Sequence, residues 1–295
     1  MFKSGFVAIV GSPNAGKSSL INKIFNQKIS IVSDKVQTTR DMIKGIYNDE
    51  NSQIVFLDTP GFHHPQNKLQ VYMNHQIEMA LTQLDLLIYV VDAEYGMAKK
   101  EINNLKNIEN KTCCKRIALV NKLDLISQEK ALKIITQLDE TGLFDAVSAT
   151  SIRHGFNRES FIKEVKSYLS DDYRYYEDEQ MTDYSDEFYI EEIIREKINN
   201  RTFEEIPHSV AVKVKEMQIE NNILHILVDV YVERDSQKGI IIGRGGQSLK
   251  EIGKKSRVEL KKYFATAIYL DIHVKVLSKW AQQERSLDNL GYFQD

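Results

Sequence analysis

Cysteine is nearly absent from this chain. The 295 residues hold two, Cys113 and Cys114, and they are adjacent. Neighbouring residues are badly placed to bridge each other, which excludes a disulfide framework and fits a reducing compartment. Long apolar runs are lacking too. No uncharged stretch approaches the ~20 residues needed to span a bilayer. The opening MFKSGFVAIVGSPNAGKSS has only a short apolar run before glycine and polar residues. It reads as a buried strand, not as a signal peptide. No lipidation motif, internal repeat or low-complexity segment appears. Nor does either charge dominate: 39 basic residues against 42 acidic ones give −3. That balance gives no global pull toward nucleic acid, so any such affinity must be local.

What is there suffices for ordinary cores. Hydrophobic residues make up 42% of the chain, and a prior of ~150 residues per domain suggests two domains. Short apolar runs at 6–10, 54–58, 86–92, 116–121 and 145–149 alternate with amphipathic stretches such as KSSLINKIF and LQVYMNHQIEMALTQL. That alternation implies an α/β sheet, mixed and mostly parallel, covered by helices. Near residue 170 the pattern changes. SDDYRYYEDEQMTDYSDE is acidic and tyrosine-rich and reads as a solvated linker. Beyond it the order is α-β-β-α-α-β-α, with Asn221-Asn222 between two alternating runs as a hairpin signal. The expected boundaries are 1–172, a linker over 173–186, and 187–295.

Chemistry gathers in the first half. Gly11-Ser12-Pro13-Asn14-Ala15-Gly16-Lys17-Ser18, followed by Ser19, matches G-x-x-x-x-G-K-[ST] directly after an apolar run. The glycines admit backbone N–H groups to phosphate, Lys17 supplies a point charge, and the Ser18 hydroxyl suits Mg²⁺. The loop alone leaves ATP and GTP open. Asp58-Thr59-Pro60-Gly61 ends a second strand, with Asp58 placed for Mg²⁺ and the Gly61 N–H for a γ-phosphate. Asn121-Lys122-Leu123-Asp124 ends another. A carboxylate at Asp124 can accept from guanine N1–H and its exocyclic amine, a pair adenine does not offer. Ser148-Ala149-Thr150 adds an N–H for the guanine carbonyl. Order and spacing match the motifs of GTPases. Gln37–Asp41 stands where the first switch belongs, with Thr39 assigned to Mg²⁺ and Thr38 as the alternative.

One catalytic element is missing. Many GTPases place a glutamine after D-x-x-G to orient the attacking water; here that residue is Phe62, so hydrolysis is expected to be slow. His63 and His64 follow, and are read as solvated residues of a switch loop. Asn14 offers a side-chain oxygen to a monovalent cation. That charge would stand where other systems use an arginine finger.

GSPNAGKSSL, QTTR, DTPGF, NKLD, SAT, GIIIGRGGQSLKEIG and the ending ERSLDNLGY together resemble the Era family of bacterial GTPases over essentially the whole chain. The resemblance implies a P-loop GTPase domain followed by an α+β type II KH domain. It further implies binding of the 3′ end of 16S rRNA, a role in maturation of the small (30S) ribosomal subunit, and hydrolysis stimulated by potassium. A cytoplasmic monomer with some peripheral association with the cell membrane is also implied. Ser19 stands where threonine is common, which keeps the hydroxyl.

Under that resemblance Gly243-Arg244-Gly245-Gly246 is not the near-miss of a dinucleotide fingerprint that it first suggests. It is the GxxG loop of a KH fold, which clamps about four nucleotides of a single strand. Ile240, Ile242 and Ile252 become candidates for an apolar floor under the bases, and Lys250 and Lys254 for phosphate contacts. From Arg234 to Lys262 nine basic residues stand against three acidic ones, +6 within a chain of −3. A second function class stays open: an RNA-binding scaffold that senses nucleotide but turns over too slowly for hydrolysis to matter. A membrane-recruited regulator ranks below both.

Overall fold

The structure is a computed structural model and describes residues 2–35, 37–62, 65–98, 101–103, 105–106, 114–170 and 173–293. His63, His64 and Cys113 lie outside them. The chain divides into two compact units. One comprises Met1–Ser30, Thr39–His63 and Met73–Asp183; the other comprises Ile31–Thr38, His64–Tyr72 and Tyr184–Asp295.

The first unit is built on six strands: β1 (Lys3–Gly11), β2 (Ile43–Asp49), β3 (Ser52–Asp58), β4 (Leu86–Asp92), β5 (Lys115–Asn121) and β6 (Ala146–Ala149). They lie in the order β2-β3-β1-β4-β5-β6. Only β2 runs antiparallel, to β3; the other pairs are parallel. β3 and β4 are buried along their whole length, as strands covered on both faces must be. The helices of this part include α1 (Lys17–Phe25), α2 (Lys68–Ala80) from Met73 onward, α3 (Gln128–Glu140) and α4 (Arg158–Ser167). Ser127 caps α3 by accepting from the Lys130 N–H, and Asn157 caps α4 by accepting from the Ser160 N–H. Each such cap is worth about 1 kcal/mol.

The acidic stretch is largely exposed, as expected of a solvated connection, but it also docks on the sheet. Gln53, fully buried on β3, accepts from the N–H groups of Tyr175 and Tyr176 at 2.6 and 3.0 Å and donates to the Tyr176 carbonyl at 2.9 Å. Tyr175 meets Phe6 edge-on, with ring centroids 4.8 Å apart. Further on, Thr182 bridges to Gly45 and the Ile46 N–H donates to the Met181 carbonyl, while Lys44 pairs with Asp183 at 2.5 Å. Residues 181–183 therefore cover the outer edge of β2, while Tyr175 and Tyr176 dock on β3 and β1. Composition counted their charges but not their backbone groups and tyrosine rings, and it is these that dock.

The second unit contains α5 (Asp186–Asn199), α6 (Ile206–Ser209), β7 (Ala211–Glu220), β8 (Ile223–Val232), α7 (Asp235–Ile242), α8 (Gln247–Phe264), β9 (Ala267–Val276) and α9 (Glu284–Leu290). The short α6 adds one turn to the expected order. β7 and β8 are antiparallel, and β8 and β9 are parallel. Asn221 and Asn222 both adopt positive φ, 48° and 60°, which is what a two-residue hairpin matching the strand twist requires. Leu224, Ile226, Val228, Val230 and Val232 line one face of β8. They pack with Ile190, Ile193, Ile194 and Ile198 of α5, Ile241 of α7, and Ile252 and Leu260 of α8.

Candidate nucleotide site and nucleic-acid interface

Strand β1 ends at Gly11 and α1 begins at Lys17, so the intervening loop lies at the helix N-terminus. Gly16 has φ 106°, and a Cβ there would come within 2.4 Å of the Asn121 side chain. Only glycine fits both demands. Asn121 ties three segments together: its Nδ2 donates to the Ala15 carbonyl at 2.8 Å, and its Oδ1 accepts from the Ile152 N–H at 3.0 Å. The loop after β1, the end of β5 and the loop after β6 are thus held at fixed spacing.

Lys17 is buried. Its Nζ donates to the carbonyls of Gly11 and Ser12, at 3.1 and 2.9 Å. Burial pulls its pKa down to about 8, against the pull of the Asp58 and Glu101 carboxylates. The Ser18 and Thr39 hydroxyls stand 3.1 Å apart. Thr38 differs, because its Oγ1 donates to the Lys35 carbonyl at 2.5 Å. Asp58 is fully buried. Its Oδ2 accepts from Ser30 Oγ at 2.8 Å, and its Oδ1 is buried with no hydrogen-bond partner among the described residues. Burial pushes the carboxyl up, opposed by the Ser18 hydroxyl, the Lys17 charge and the Ser30 hydroxyl. An orphaned carboxylate oxygen beside two hydroxyls is a donor set suited to Mg²⁺, a hard cation that prefers oxygen.

The remaining motif residues fall around this centre. The Thr59 hydroxyl donates to the Ile9 carbonyl at 3.0 Å. Phe62 packs against the hydrophobic core of the first unit, so its ring is engaged with other side chains. Asn14 is exposed, in the left-handed region at φ 62°. Lys122, also left-handed at φ 67°, pairs with Asp92 at 2.7 Å. Asp124 Oδ1 accepts from Ser151 Oγ at 2.6 Å and Oδ2 lies 3.9 Å from His154 Nε2. The Ser151 hydrogen bond holds this carboxyl below its ordinary range. Ser148 donates to Glu164 at 2.8 Å, and Ala149 is exposed at the end of β6. Three partners were not foreseen in the sequence. Ser30 joins Asp58, Ser151 joins Asp124, and Glu101 accepts from Ser12 Oγ and, at 2.9 Å, from the Tyr89 hydroxyl.

In the second unit α7 ends at Ile242, and a 3-10 turn over Arg244–Gly246 leads straight into α8. Gly243 has φ 73°, and a Cβ there would meet Ser248 at 2.7 Å. Arg244 and Gly245 are exposed, and Ile240 is 55% exposed beside them. Ile242 is partly buried against the core. Ile252 is not a floor residue: it is 1% exposed and belongs to the core. Its neighbours at i+4 and i+8, Ser256 and Leu260, are buried with it, as a helix stripe requires. Lys250, Lys254, Arg257 and Lys261 are exposed and share a face, at spacings of four, three and four residues. Lys255 and Lys262 are exposed as well.

Residues 6–122 match the family described as 50S ribosome-binding GTPase, and residues 205–281 match the KH domain family. The whole chain is similar to two solved structures. One is Era in complex with MgGDPNP and nucleotides 1506–1542 of 16S ribosomal RNA. The other is an Aquifex aeolicus Era variant bound to GDP·AlF4⁻. Each has a TM-score of 0.95 and 33% sequence identity, and each match covers 99% of both chains.

Proposed function

Because this chain belongs to the Era family of GTPases, with a P-loop GTPase domain and a C-terminal KH domain, we propose that it is a GTP-hydrolysing switch. It binds the 3′ end of 16S rRNA through Gly243–Gly246 and the basic face of α8, and assists assembly of the 30S subunit in the cytoplasm as a monomer. The broader GTPase family is described by large-subunit binding. The full-length likeness spans both domains and is to a protein holding small-subunit rRNA, so it carries the reading.

The observation that bears most weight is the meeting of Ser18, Thr39 and the unpartnered Asp58 oxygen at the head of α1. These three residues would hold Mg²⁺. When bound, the ion neutralises charge shared by the β- and γ-phosphates. Lys17 exchanges its two loop carbonyls for phosphate oxygens. The backbone N–H groups of Asn14 to Ser19 and the positive end of α1 take the rest of the anion. Asp124, already fixed by Ser151, accepts the two guanine N–H groups, and the Ala149 N–H meets the guanine carbonyl. The Gly61 N–H senses the γ-phosphate.

The residue directly after Asp58-Thr59-Pro60-Gly61, Phe62, is packed on the core and carries no polar group to orient the attacking water. Intrinsic turnover is therefore slow, and Asn14 recruits K⁺ to raise it. Single-turnover hydrolysis measured in KCl and in NaCl tests this. A faster rate in KCl that Asn14→Ala removes is expected. Rates equal in both salts and unchanged in the variant would remove Asn14 from the mechanism, and rates near zero in both, with and without RNA, would leave a scaffold in place of an enzyme.

For a switch, the first switch segment must report to the KH-containing unit. Residues 31–38 belong to that unit. Ile31 lies in its core, and the Val32 N–H donates to Glu196 of α5 at 3.1 Å. Thr39 follows directly in the chain and belongs to the nucleotide unit. A nucleotide-dependent shift of Thr39 would thus act on adjoining residues that α5 holds. Among the described residues no helix is long and apolar enough to cross a membrane.

A further inference from the structure

The basic residues of 234–262 are not the only cations at the glycine turn. Arg201, which is exposed, follows the C-terminus of α5, two residues beyond Asn199. Its Nε donates to Ser248 Oγ at 2.9 Å. Ser248 is the residue that a Cβ on Gly243 would strike, so the guanidinium is tied to the turn itself. The tie is to a neutral hydroxyl. No carboxylate among the described residues pairs with Arg201, whereas Lys197, one helical turn earlier, pairs with both Glu196 and Glu259. The nearest acids in sequence, Glu204 and Glu205, are exposed. With Nε engaged, the two Nη groups form a fork that suits a phosphodiester.

A cation just past a helix C-terminus also interacts favourably with the macrodipole. That role needs no side-chain tie to a residue of α8 at the far side of the glycine turn. We propose that Arg201 is a phosphate ligand for the RNA strand clamped by Gly243–Gly246, held in place by Ser248. It has this role only if that turn clamps RNA, as proposed above.

The test is the salt dependence of binding to a single-stranded oligonucleotide of the 16S rRNA 3′ end, with a scrambled oligonucleotide of equal length beside it. Each phosphate contact on a single strand contributes a slope of about 0.7 in log affinity against log salt. Arg201→Ala is therefore expected to lower the slope by about 0.7, and the affinity by about fourfold at 0.15 M salt and about eightfold at 0.05 M. The fold loss should be the same on both oligonucleotides, because phosphate carries no sequence. Arg201→Lys, which keeps the charge but not the fork, should keep the slope while losing part of the affinity. Ser248→Ala should lose affinity with little change of slope. Arg201→Ala and Arg201→Lys losing affinity equally, with the slope untouched, would mean a structural role and overturn the assignment, as would an Arg201→Ala protein that binds like the wild type. Gly245→Asp separates the two levels. If it weakens binding while Arg201→Ala does not, only Arg201 is wrong; if it leaves binding intact, the glycine turn is not the clamp.

Discussion

Thr39 and Thr38 are neighbours with opposite environments. One faces the Ser18 hydroxyl and the other is turned to the Lys35 carbonyl. Thr39→Ala is expected to cut Mg²⁺-dependent single-turnover hydrolysis by roughly 100-fold, and Thr38→Ala to leave most of it. Equal losses would reassign the switch threonine. The choice between the two was open in the sequence, because spacing alone does not say which hydroxyl turns inward. The motifs themselves could be read as local patterns in the sequence. Their partners could not: Ser30, Glu101, Ser151 and Arg201 reach their sites across tertiary contacts that no local pattern encodes. Another residue has a measurable consequence for stability. Glu191 of α5 is partly buried beside Lys213 and accepts from the Val214 N–H, and burial pushes its pKa up to about 7. A carboxyl raised in the folded state binds its proton more tightly there than when unfolded. The stabilisation is thus full below the ordinary range and is lost as pH rises through about 7. At ~1.4 kcal/mol per unit the swing is about 3 kcal/mol between pH 4.5 and 8. Chemical denaturation between pH 4.5 and 8 should show this fall in the wild type, and Glu191→Gln should flatten it.

Whole elements were less evenly readable. β3 and β4 are continuous apolar runs and could be read directly. β2 could not: IKGIYND is half polar, and it is a strand because β3 lies beside it and residues 181–183 cover its outer edge. The same contact explains why the acidic stretch is ordered. Its order depends on Gln53, which meets Tyr175 and Tyr176 with both ends of its amide. Gln53→Ala removes the acceptor that two backbone N–H groups share, and losing such a bond from a buried group costs about 1–3 kcal/mol. The segment should release instead, and limited proteolysis should cut near 174–180 in the variant but not in the wild type. Equal resistance in both would mean that other contacts hold it. At the start of α5 the Ser185 hydroxyl accepts from the Phe188 N–H. Ser185→Ala should cost about 1 kcal/mol, read as a lower denaturation midpoint with an unchanged slope.

At the scale of the molecule, charge is segregated. A chain of −3 carries +6 between Arg234 and Lys262, much of it on one exposed face of α8 beside the glycine turn. RNA affinity should therefore fall steeply with salt although the protein is acidic overall. A nucleotide site and a nucleic-acid interface on one chain make a switch only if each alters the other, and such coupling is reciprocal. The direct measurement is the affinity for a single-stranded oligonucleotide of the 16S rRNA 3′ end, at fixed salt, of protein loaded with GDP or with a non-hydrolysable GTP analogue, with Gly245→Asp as control. Tighter binding by the GTP form, by at least ~5-fold, and weak binding by the variant in both forms is the expected result. Equal affinity of the two loaded forms would contradict it, leaving the KH domain a tether and the nucleotide in control of some other surface.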